Sequence, residues 1–464
     1  MRFWYLCSMA ATLGMMLASP SSAQDPPSRA EILATLRLVQ GHWVAGHPDP
    51  GNRGWARSAY FAGHMALHAI APRQADLDYA FLWADSNAWA LFGGPTTRNA
   101  DHQCCGQTYA ELDVFVPDPA HLADITTSVL GMVESPECDD WWWCDALFMA
   151  MPVFMRLGLL HGDDRCFLKL HDLYAHTRTA RGLYDPARHL WYRDESYLPP
   201  YATPAGAPCF WSRGNGWVFT GLARTLADLP PGDPHRAEYV ATFRDMAAAL
   251  AAVQRADGFW NVSLADTTDF PGPETSGTAF FTFGLAWGIR SGLLDEQTYL
   301  PVAARAWQGL STVAVHPDGF LGYVQDVGGE PASSQPVTCD CTADFGVGAF
   351  LLAGSELFRL ADGASAADED PFVGPFLAQN APNPFNPVTM IRFDLPAAAA
   401  VNLSVYDLCG RRIATLVDGE LPPGAHACVW RGVDGEGRPA ASGIYVGRLV
   451  ADGVRVSRRM TLAR

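Results

Sequence analysis

Residues 30 to about 360 contain two kinds of helical segment, which alternate strictly along the chain with six of each kind. The first kind carries charges on one face and Leu, Ala or Val on the other, which is typical of half-buried helices. These segments cover residues 29–44, 74–91, 119–132, 163–178, 235–254 and 296–313. The second kind is apolar on all sides and rich in Gly and Ala, and its members begin near Trp55, Gly106, Asp145, Asn215, Thr275 and Phe345.

A helix that is apolar on all sides belongs in the interior of a protein. Gly and Ala let such helices approach one another closely, although Gly lowers the intrinsic helix propensity. Six buried and six half-buried helices therefore predict two concentric rings, an all-α (α/α)6 barrel over residues 24–363. The segments are too irregular in length for a stacked solenoid, whose repeats keep a nearly constant length.

Both ends of the chain differ from this helical region. Arg2, an apolar stretch at residues 3–17, and Ser21 and Ala23 before a cleavage point predict a signal peptide at residues 1–23. Residues 364–375 are predicted to be a linker, because they begin with a run of small and acidic residues. We therefore expect an exported protein with a catalytic barrel and a second domain at residues 376–464.

Short alternating runs at residues 390–395, 400–406, 413–416, 426–430, 443–449 and 454–462, separated by turns, predict a small all-β sandwich. The patterns NAPNPFNPVTMIRFDLP, YDLCGRR and SGIYVGRL resemble the Ig-like C-terminal sorting domains of type IX secretion and their FlgD-like relatives. The resemblance implies a secreted or cell-surface protein and makes the type IX secretion machinery a candidate partner. Without a sorting function, the expected location is the periplasm.

Charge and cysteine spacing exclude several classes of function. The formal net charge is -17, and no basic run is present, so nucleic acid is not expected as a partner. No segment after the signal peptide stays apolar long enough to span a membrane. The cysteine spacings are not those of zinc sites, so neither a metal nor a cofactor is expected. Cys138–Cys144 and Cys409–Cys428 are either disulfides of an exported protein or free buried thiols.

Aromatic and polar residues crowd the starts of the apolar helices. If these helices run parallel, their starts meet at one rim, where helix N-termini favour anions. Tryptophan rings bind the apolar faces of sugars, and Trp141–Trp143, Trp55, Trp211 and Trp217 all lie near such starts. We expect at least one ring of the Trp141–Trp143 run to face a pocket at this rim. Packing in the core is the alternative for each ring.

Asp145 is the strongest candidate for an acid, because it follows three tryptophans and precedes the apolar run ALFMAM. Desolvation there raises the pKa of a carboxyl group, which suits a proton donor at neutral pH. Asp101 precedes another apolar helix, and a second carboxylate near Asp145 would help to keep it protonated. For both residues the alternative is a helix N-cap.

A net-acidic protein needs local cations to hold an acidic sugar. Arg213, in the motif FWSRGNGW, can bind a carboxylate with two hydrogen bonds, or it can pair with a protein carboxylate instead. Arg193, in LWYRDESY, is a second candidate cation, and Glu274, in GPETSGTAFF, is a further polar candidate. Each of the last two is equally consistent with a solvated loop charge.

The motifs NADHQCCGQTY, DWWWCDALFMAMP, FWSRGNGWV, DGFWNVSL, GPETSGTAFFTFGLAWG and FGVGAFLLAGSE occur in order along the chain. Together they resemble the unsaturated glucuronyl and rhamnogalacturonyl hydrolases, glycoside hydrolase families 88 and 105. The resemblance implies an (α/α)6 fold without a metal and, as substrate, an oligosaccharide that ends in the 4,5-unsaturated uronic acid left by a polysaccharide lyase.

By motif, Asp145 matches the family's catalytic aspartate, and Asp101 matches its second carboxylate. The resemblance also implies that Trp55, Trp143, Trp211, Arg213 and Trp217 contact the substrate. Arg193 stands where rhamnogalacturonyl hydrolases usually carry His, which leaves the identity of the uronide open.

The implied reaction is hydration of the double bond, with Asp145 acting first as acid and then as base. Two alternatives remain at this stage. One is an ordinary glycoside hydrolase in which Asp101 and Asp145 form the two-carboxylate pair. The other is a non-catalytic surface protein that binds glycans through its aromatic rim.

Overall fold

The structure is a computed structural model, and it describes residues 27–361, 376–377, 380, 383–395, 397–407, 411–451 and 454–463. The predicted signal peptide and linker lie outside these residues. Six helices correspond to the predicted apolar set: α2 (Trp55–Ile70), α5 (Cys105–Phe115), α7 (Ala146–His161), α9 (Ser212–Asp228), α11 (Thr275–Arg290) and α13 (Asp344–Leu360). Six correspond to the amphipathic set: α1 (Arg29–Gly46), α3 (Gln74–Ser86), α6 (Ala123–Val133), α8 (Arg165–Ala175), α10 (Arg236–Ala252) and α12 (Glu296–Gly309).

The six apolar helices contact one another in a closed ring in chain order, with α13 packing back onto α2. Each amphipathic helix α3, α8, α10 and α12 packs against an apolar neighbour in the sequence, and α1 packs on α13. The predicted close approach is confirmed at Gly63 and Gly348, where a Cβ on Gly63 would collide with the carbonyl group of Gly348. Small residues therefore set the spacing between α2 and α13.

Some helix ends differ from the prediction. Helix α3 ends at Ser86 rather than near residue 91, because Ala88 and Trp89 adopt positive φ angles of 53° and 55°. Helix α6 begins at Ala123 rather than near residue 119. A short helix, α4 (Ala100–Gln103), precedes α5. Among the described residues, no helix is long and apolar enough to cross a membrane.

The β strands fall into two regions. A short hairpin lies between α8 and α9 and was not predicted. It pairs two strands of two residues each, β1 (Tyr184–Asp185) and β2 (Leu190–Trp191). The C-terminal region contains β3 (Phe376–Leu377), β4 (Thr389–Leu395), β5 (Ala399–Asp407), β6 (Arg412–Leu421), β7 (Gly424–Trp430), β8 (Gly443–Ala451) and β9 (Val454–Leu462). All six predicted strands are present, and β3 is additional.

The C-terminal strands form two antiparallel sheets, in the orders β3-β4-β7 and β6-β5-β8-β9. Side chains from both sheets, such as Phe393, Trp430, Leu403 and Leu449, belong to a single hydrophobic core. That core shares no residue with the helical core, whose members end at Leu360. The two regions therefore bury their apolar side chains separately.

Candidate active site

Asp145 occupies the N-cap position of α7, but its side chain does not cap the helix. Its backbone carbonyl accepts hydrogen bonds from the amides of Phe148 and Met149 at 3.0 and 3.3 Å, whereas its carboxylate accepts none from the helix. The alternative prediction of a side-chain cap is therefore wrong for Asp145. The residue is only 7% exposed, so its carboxyl group is a buried acid that needs other partners.

Two neighbours face the Asp145 carboxyl group. The thiol of Cys144 donates to Oδ1 at 3.3 Å, and Nε of Arg193 lies 3.8 Å from Oδ2. Burial raises the pKa of Asp145, and this outweighs the opposite effects of Arg193 and of the Cys144 hydrogen bond. Burial and the Asp145 charge also raise the pKa of the Cys144 thiol, so it remains a neutral donor.

Asp101 lies on α4 and is electrically coupled to Asp145. Asn99, not Asp101, caps this helix, because its side-chain oxygen accepts from the Asp101 amide at 2.8 Å. Burial, followed by the charge of Asp145, raises the pKa of Asp101 to about 7. The charge of Asp145 thus makes Asp101 easier to protonate, and Arg193 favours the carboxylate form of both groups.

The backbone around Arg193 is fixed to the starts of α7 and α9. The amide of Cys144 donates to the Arg193 carbonyl at 2.8 Å, and Trp143 pairs with Asp194 in an antiparallel bridge. On the other side, Asn215 holds both the amide and the carbonyl of Trp191, at 2.8 and 3.0 Å. The unpredicted hairpin β1–β2 therefore positions Arg193, which follows β2, next to Asp145.

The Arg193 guanidinium lies at the solvent edge of the site. Its Nη1 pairs with Asp194 Oδ2 at 2.5 Å, and its Cζ lies 5.2 Å from the ring centre of Trp142. The side chain is 22% exposed, and Trp142 is 45% exposed. Arg193 is therefore a half-buried ion-paired cation rather than a solvated loop charge, and it can reach a ligand.

The predicted convergence of the helix starts is present. Trp55 on α2 stacks on Phe345 on α13 at 5.3 Å and meets Trp217 on α9 edge-on at 6.1 Å. However, Trp143, Trp211 and Trp217 are almost fully buried, whereas Trp55 is half-buried. The exposed ring of the Trp141–Trp143 run is Trp142, while Trp141 packs in the core against Phe154.

Arg213 lies beneath the surface with its donors occupied. It is 1% exposed, and its guanidinium lies between the rings of Trp211 and Phe345, at 4.4 and 4.6 Å. It donates to the carbonyl groups of Gln325 and Asp326, the latter at 2.8 Å. Burial lowers the pKa of Arg213 to about 10, so it stays charged at neutral pH. Within the described structure Arg213 is therefore a buried structural residue beneath the site. Of the two arginines, Arg193 is the one that solvent or a ligand can reach.

The structure decides between the alternatives that the sequence leaves open for Glu274 and for the cysteine pairs. Glu274 is fully buried and caps α11, accepting from the amides of Ser276 and Gly277, so it is not a solvated loop charge. Cys138 and Cys144 are both free thiols, because Cys144 is turned towards Asp145 while Cys138 lies 3.8 Å from His176. Cys428 is also free, and Cys409 lies outside the described residues.

Sequence reasoning missed Cys144 as a partner of the acid, Trp142 as the exposed ring, and Gln325. The first two lie beside Asp145 in DWWWCD, but only the structure shows which side chains of that run turn outwards. Among the described residues, no group of three or more His, Cys, Asp or Glu side chains is placed to hold a metal ion.

Comparison with known proteins gives consistent results for the helical region. The profile of Glycosyl Hydrolase Family 88 matches residues 38–361. An unsaturated 3S-rhamnoglycuronyl hydrolase of Formosa agariphila is 40% identical over 377 residues, which are 76% of this chain and 98% of that protein. A solved structure of a family 88 glycosyl hydrolase from Bacteroides vulgatus is 35% identical with a TM-score of 0.68, covering 72% of this chain and all of that one.

The chain belongs to Glycosyl Hydrolase Family 88. A third relative, a solved structure described as a polysaccharide lyase, is 39% identical with a TM-score of 0.68, over 71% of this chain and 97% of that one. The predicted resemblance to family 88 is thereby confirmed for the helical region, and this family 88 enzyme is a glycoside hydrolase. The C-terminal β region lies outside the residues that the family profile matches.

Proposed function

We propose that this family 88 enzyme removes a 4,5-unsaturated uronic acid from the non-reducing end of lyase-generated oligosaccharides. The observation that carries the proposal is the buried Asp145 carboxyl group, which caps no helix and faces an accessible arginine. A protein that only binds glycans has no use for such an acid. The Formosa agariphila relative, whose name describes this type of activity, supports the assignment.

We further propose that the sugar next to the uronic acid is a rhamnose that carries a 3-sulfate. Two relatives, from Formosa agariphila and from an Alteromonas species, are named unsaturated 3S-rhamnoglycuronyl hydrolases; they are 40% identical over 377 residues and 37% identical over 219 residues of this chain. A substrate with a carboxylate and a sulfate requires an accessible cation in a chain of net charge -17. Arg193 supplies that cation at the solvent edge of the site.

The reaction adds water across the C4–C5 double bond. The Asp145 carboxylic acid gives its proton to C4, and positive charge develops at C5 and the ring oxygen. Water then adds to C5 and returns a proton to the Asp145 carboxylate, which restores the acid. The product is a hemiketal at C5; its ring opens, and the resulting sugar releases the remainder of the chain. One water is consumed, and the enzyme is unchanged.

Arg193 links substrate binding to the protonation of Asp145. In the free enzyme, its Nε lies 3.8 Å from Asp145 and favours the carboxylate form. An anionic substrate that draws the guanidinium away removes this stabilisation, which raises the pKa of Asp145 further. Asp101, whose pKa burial and the charge of Asp145 raise to about 7, disfavours a second negative charge on Asp145 when it is itself ionised.

The remaining predictions concern architecture and export. The closed ring of six helices supports the (α/α)6 barrel, and the two sheets around one core support an Ig-like sandwich. A signal peptide at residues 1–23 and a sorting domain at residues 376–464 imply secretion or surface attachment through the type IX machinery. From these sequence patterns we propose that the protein is exported.

The test follows the ultraviolet absorbance of the conjugated C4–C5 double bond. With an unsaturated uronyl rhamnose 3-sulfate disaccharide, we expect the absorbance to fall and free rhamnose 3-sulfate to appear. One solved relative is described as a polysaccharide lyase. A lyase creates the C4–C5 double bond by elimination, so lyase activity would raise the absorbance instead of lowering it. A rise in absorbance on a saturated uronide, with no fall on the unsaturated disaccharide, would assign lyase chemistry instead.

A further inference from the structure

The connection between α12 and α13 contains a segment, residues 325–333, that is anchored by one glutamine. The Gln325 side-chain amide donates to the carbonyl groups of Glu330, Pro331 and Ser333 at 3.2, 3.1 and 2.6 Å. A single buried amide thus holds three carbonyl groups of the segment, which gives the segment a defined shape.

Gln325 also ties this segment to the site. Its Oε1 accepts from Nε1 of Trp211 at 2.8 Å, and its backbone carbonyl accepts from Arg213. Its backbone amide donates to the helix-capping carboxylate of Glu274 at 3.2 Å. The segment is therefore fixed to the starts of α9 and α11, where the residues predicted to contact substrate lie.

The tip of the segment lies against Arg193. A Cβ placed on Gly329 would be 3.7 Å from Nε and 3.8 Å from Cζ of Arg193, and 3.3 Å from the hydroxyl of Tyr197. The neighbouring Glu330 accepts a hydrogen bond from Tyr201. Any side chain at residue 329 would thus fill space beside the accessible cation of the site.

We propose that residues 325–333 form a specificity-determining wall, in which Gln325 is the positioning residue and Gly329 lets the backbone pack against Arg193, so that the wall fixes this cation beside the sulfated sugar next to the uronic acid. This inference rests on the proposed function. A side chain larger than a methyl group at residue 329 would press against Arg193 and Tyr197, and the Gln325 network holds the backbone at that distance from Arg193.

The experiment compares kcat/KM for two unsaturated disaccharides, one with rhamnose 3-sulfate and one with unsulfated rhamnose. Gly329→Val should reduce the preference for the sulfated substrate by about tenfold, because the valine methyl groups would displace the Arg193 guanidinium, and a misplacement of a few atoms in a site changes selectivity by about that much. Gly329→Ala, whose Cβ meets only ordinary contacts besides the Tyr197 hydroxyl, should shift the ratio in the same direction by less. It serves as the measurement if the valine variant does not fold.

Gly232→Val is the matched control, because Gly232 is an exposed loop glycine with nothing within 4 Å of a Cβ. Gln325→Leu should also reduce the substrate ratio. Gln254→Leu, which likewise removes an amide that donates to two backbone carbonyl groups, should leave the ratio unchanged. A general loss of stability would affect both substrates equally, whereas the wall predicts a change in their ratio.

Three results separate the two proposals. Activity of the wild type on both disaccharides, with the predicted change of ratio in the Gly329 variants, supports the wall. Activity on both, with Gly329 variants indistinguishable from Gly232→Val, overturns the wall and leaves the proposed function intact. No activity of the wild type on any unsaturated uronide overturns both.

Discussion

The starts of α7 and α11 each carry a buried acidic residue at the N-cap position, yet the two carboxylates have different tasks. Glu274 turns onto α11 and accepts from Ser276 and Gly277, at 2.9 and 2.7 Å. Asp145 turns away from α7, and its side chain meets Cys144 and Arg193 instead. A cap is satisfied by its own helix, whereas a carboxyl group that leaves its helix uncapped is available for chemistry.

This difference explains why burial alone does not identify a catalytic acid. Glu274 is the more deeply buried of the two residues. Its carboxylate accepts five hydrogen bonds, from Ser212, Ser276, Gly277 and Gln325. Asp145 has only one thiol donor and one arginine 3.8 Å away, which do not offset its burial, so burial raises the pKa of Asp145 and the group can hold a proton. The number of fixed hydrogen-bond donors, rather than the degree of burial, distinguishes the structural carboxylate of Glu274 from the catalytic acid Asp145.

The largest expected effect is that of Asp145→Asn on turnover. The amide preserves size and shape but cannot exchange the proton, so kcat should fall by about 10³- to 10⁴-fold, the upper end for general acid/base catalysis. Thermal stability should be nearly unchanged, because no helix cap is lost. An Asp145→Asn enzyme that unfolds, or one that keeps near-normal turnover, would contradict the assignment of Asp145 as a catalytic acid and Glu274 as a helix cap.

Glu274→Gln should show the opposite pattern, with loss of stability as the primary effect. Replacing the carboxylate leaves at least one buried donor among Ser276, Gly277 and Gln325 without its charged acceptor, at a cost of about 2–3 kcal/mol. We expect a lower melting temperature in differential scanning calorimetry and a much smaller loss of kcat than in Asp145→Asn. A folded Glu274→Gln enzyme of unchanged stability with a thousandfold lower kcat would place Glu274 in the chemistry.

Asp101→Asn sharpens the comparison through pH. In the folded protein the pKa of Asp101 is raised from 3.8 to about 7. The contribution of this group to wild-type folding stability is therefore complete below about pH 4 and is lost as the pH rises from about 4 to about 7. The amide does not ionise, and we expect the variant to gain about 1–3 kcal/mol over the wild type between pH 4 and pH 8. Denaturation curves at the two pH values measure this.

The same variant should shift the limb of the kcat/KM profile that lies near pH 7, while its maximal rate falls far less than in Asp145→Asn. An unshifted profile, together with a stability difference that does not depend on pH, would show that burial and the charge of Asp145 do not raise the pKa of Asp101.

Arg193→His has a smaller expected effect, on substrate choice. Histidine is shorter and mostly neutral at pH 7, so the variant should bind the sulfated substrate less well, by about 1–2 kcal/mol in kcat/KM. Activity on rhamnogalacturonan-derived products should rise relative to the wild type, because rhamnogalacturonyl hydrolases usually carry His there. Unchanged kinetics on both substrates would exclude Arg193 from the site.

Removal of residues 364–464 should have the smallest effect on activity. The helical core ends at Leu360 and the C-terminal core begins at Leu377, so the two cores share no side chains. We expect the truncated enzyme to retain kcat and KM within about twofold and to lose only export or attachment. An insoluble or inactive truncated enzyme would show that the β region stabilises the helical one.

The helical architecture could be predicted because it depends on patterns that are local in sequence. Apolar runs rich in Gly and Ala identified all six apolar helices, and alternation identified the six long C-terminal strands. The hairpin β1–β2 was missed, because two-residue strands leave no periodic signal. The end of α3 was missed because it depends on the positive φ angles of Ala88 and Trp89.

The site could be predicted only in part. Asp145 and Asp101 could be found from their apolar surroundings, and Arg193 from its charge. The directions of the side chains could not: Trp142 is exposed while Trp141 is buried, and Arg213 donates to backbone carbonyl groups more than 100 residues away. Gln325 carries no sequence signal, because its role consists of contacts that form only when the chain has folded.

The central claim is that the enzyme hydrates the unsaturated sugar with a proton from Asp145. The most direct measurement is nuclear magnetic resonance of the reaction with an unsaturated uronyl disaccharide in deuterium oxide. The account predicts that the alkene proton signal at C4 disappears, that the uronic acid product carries one solvent deuteron at C4, and that Asp145→Asn shows neither change. Release of a uronic acid that still contains its double bond would contradict the account and assign an ordinary two-carboxylate hydrolysis of the glycosidic bond.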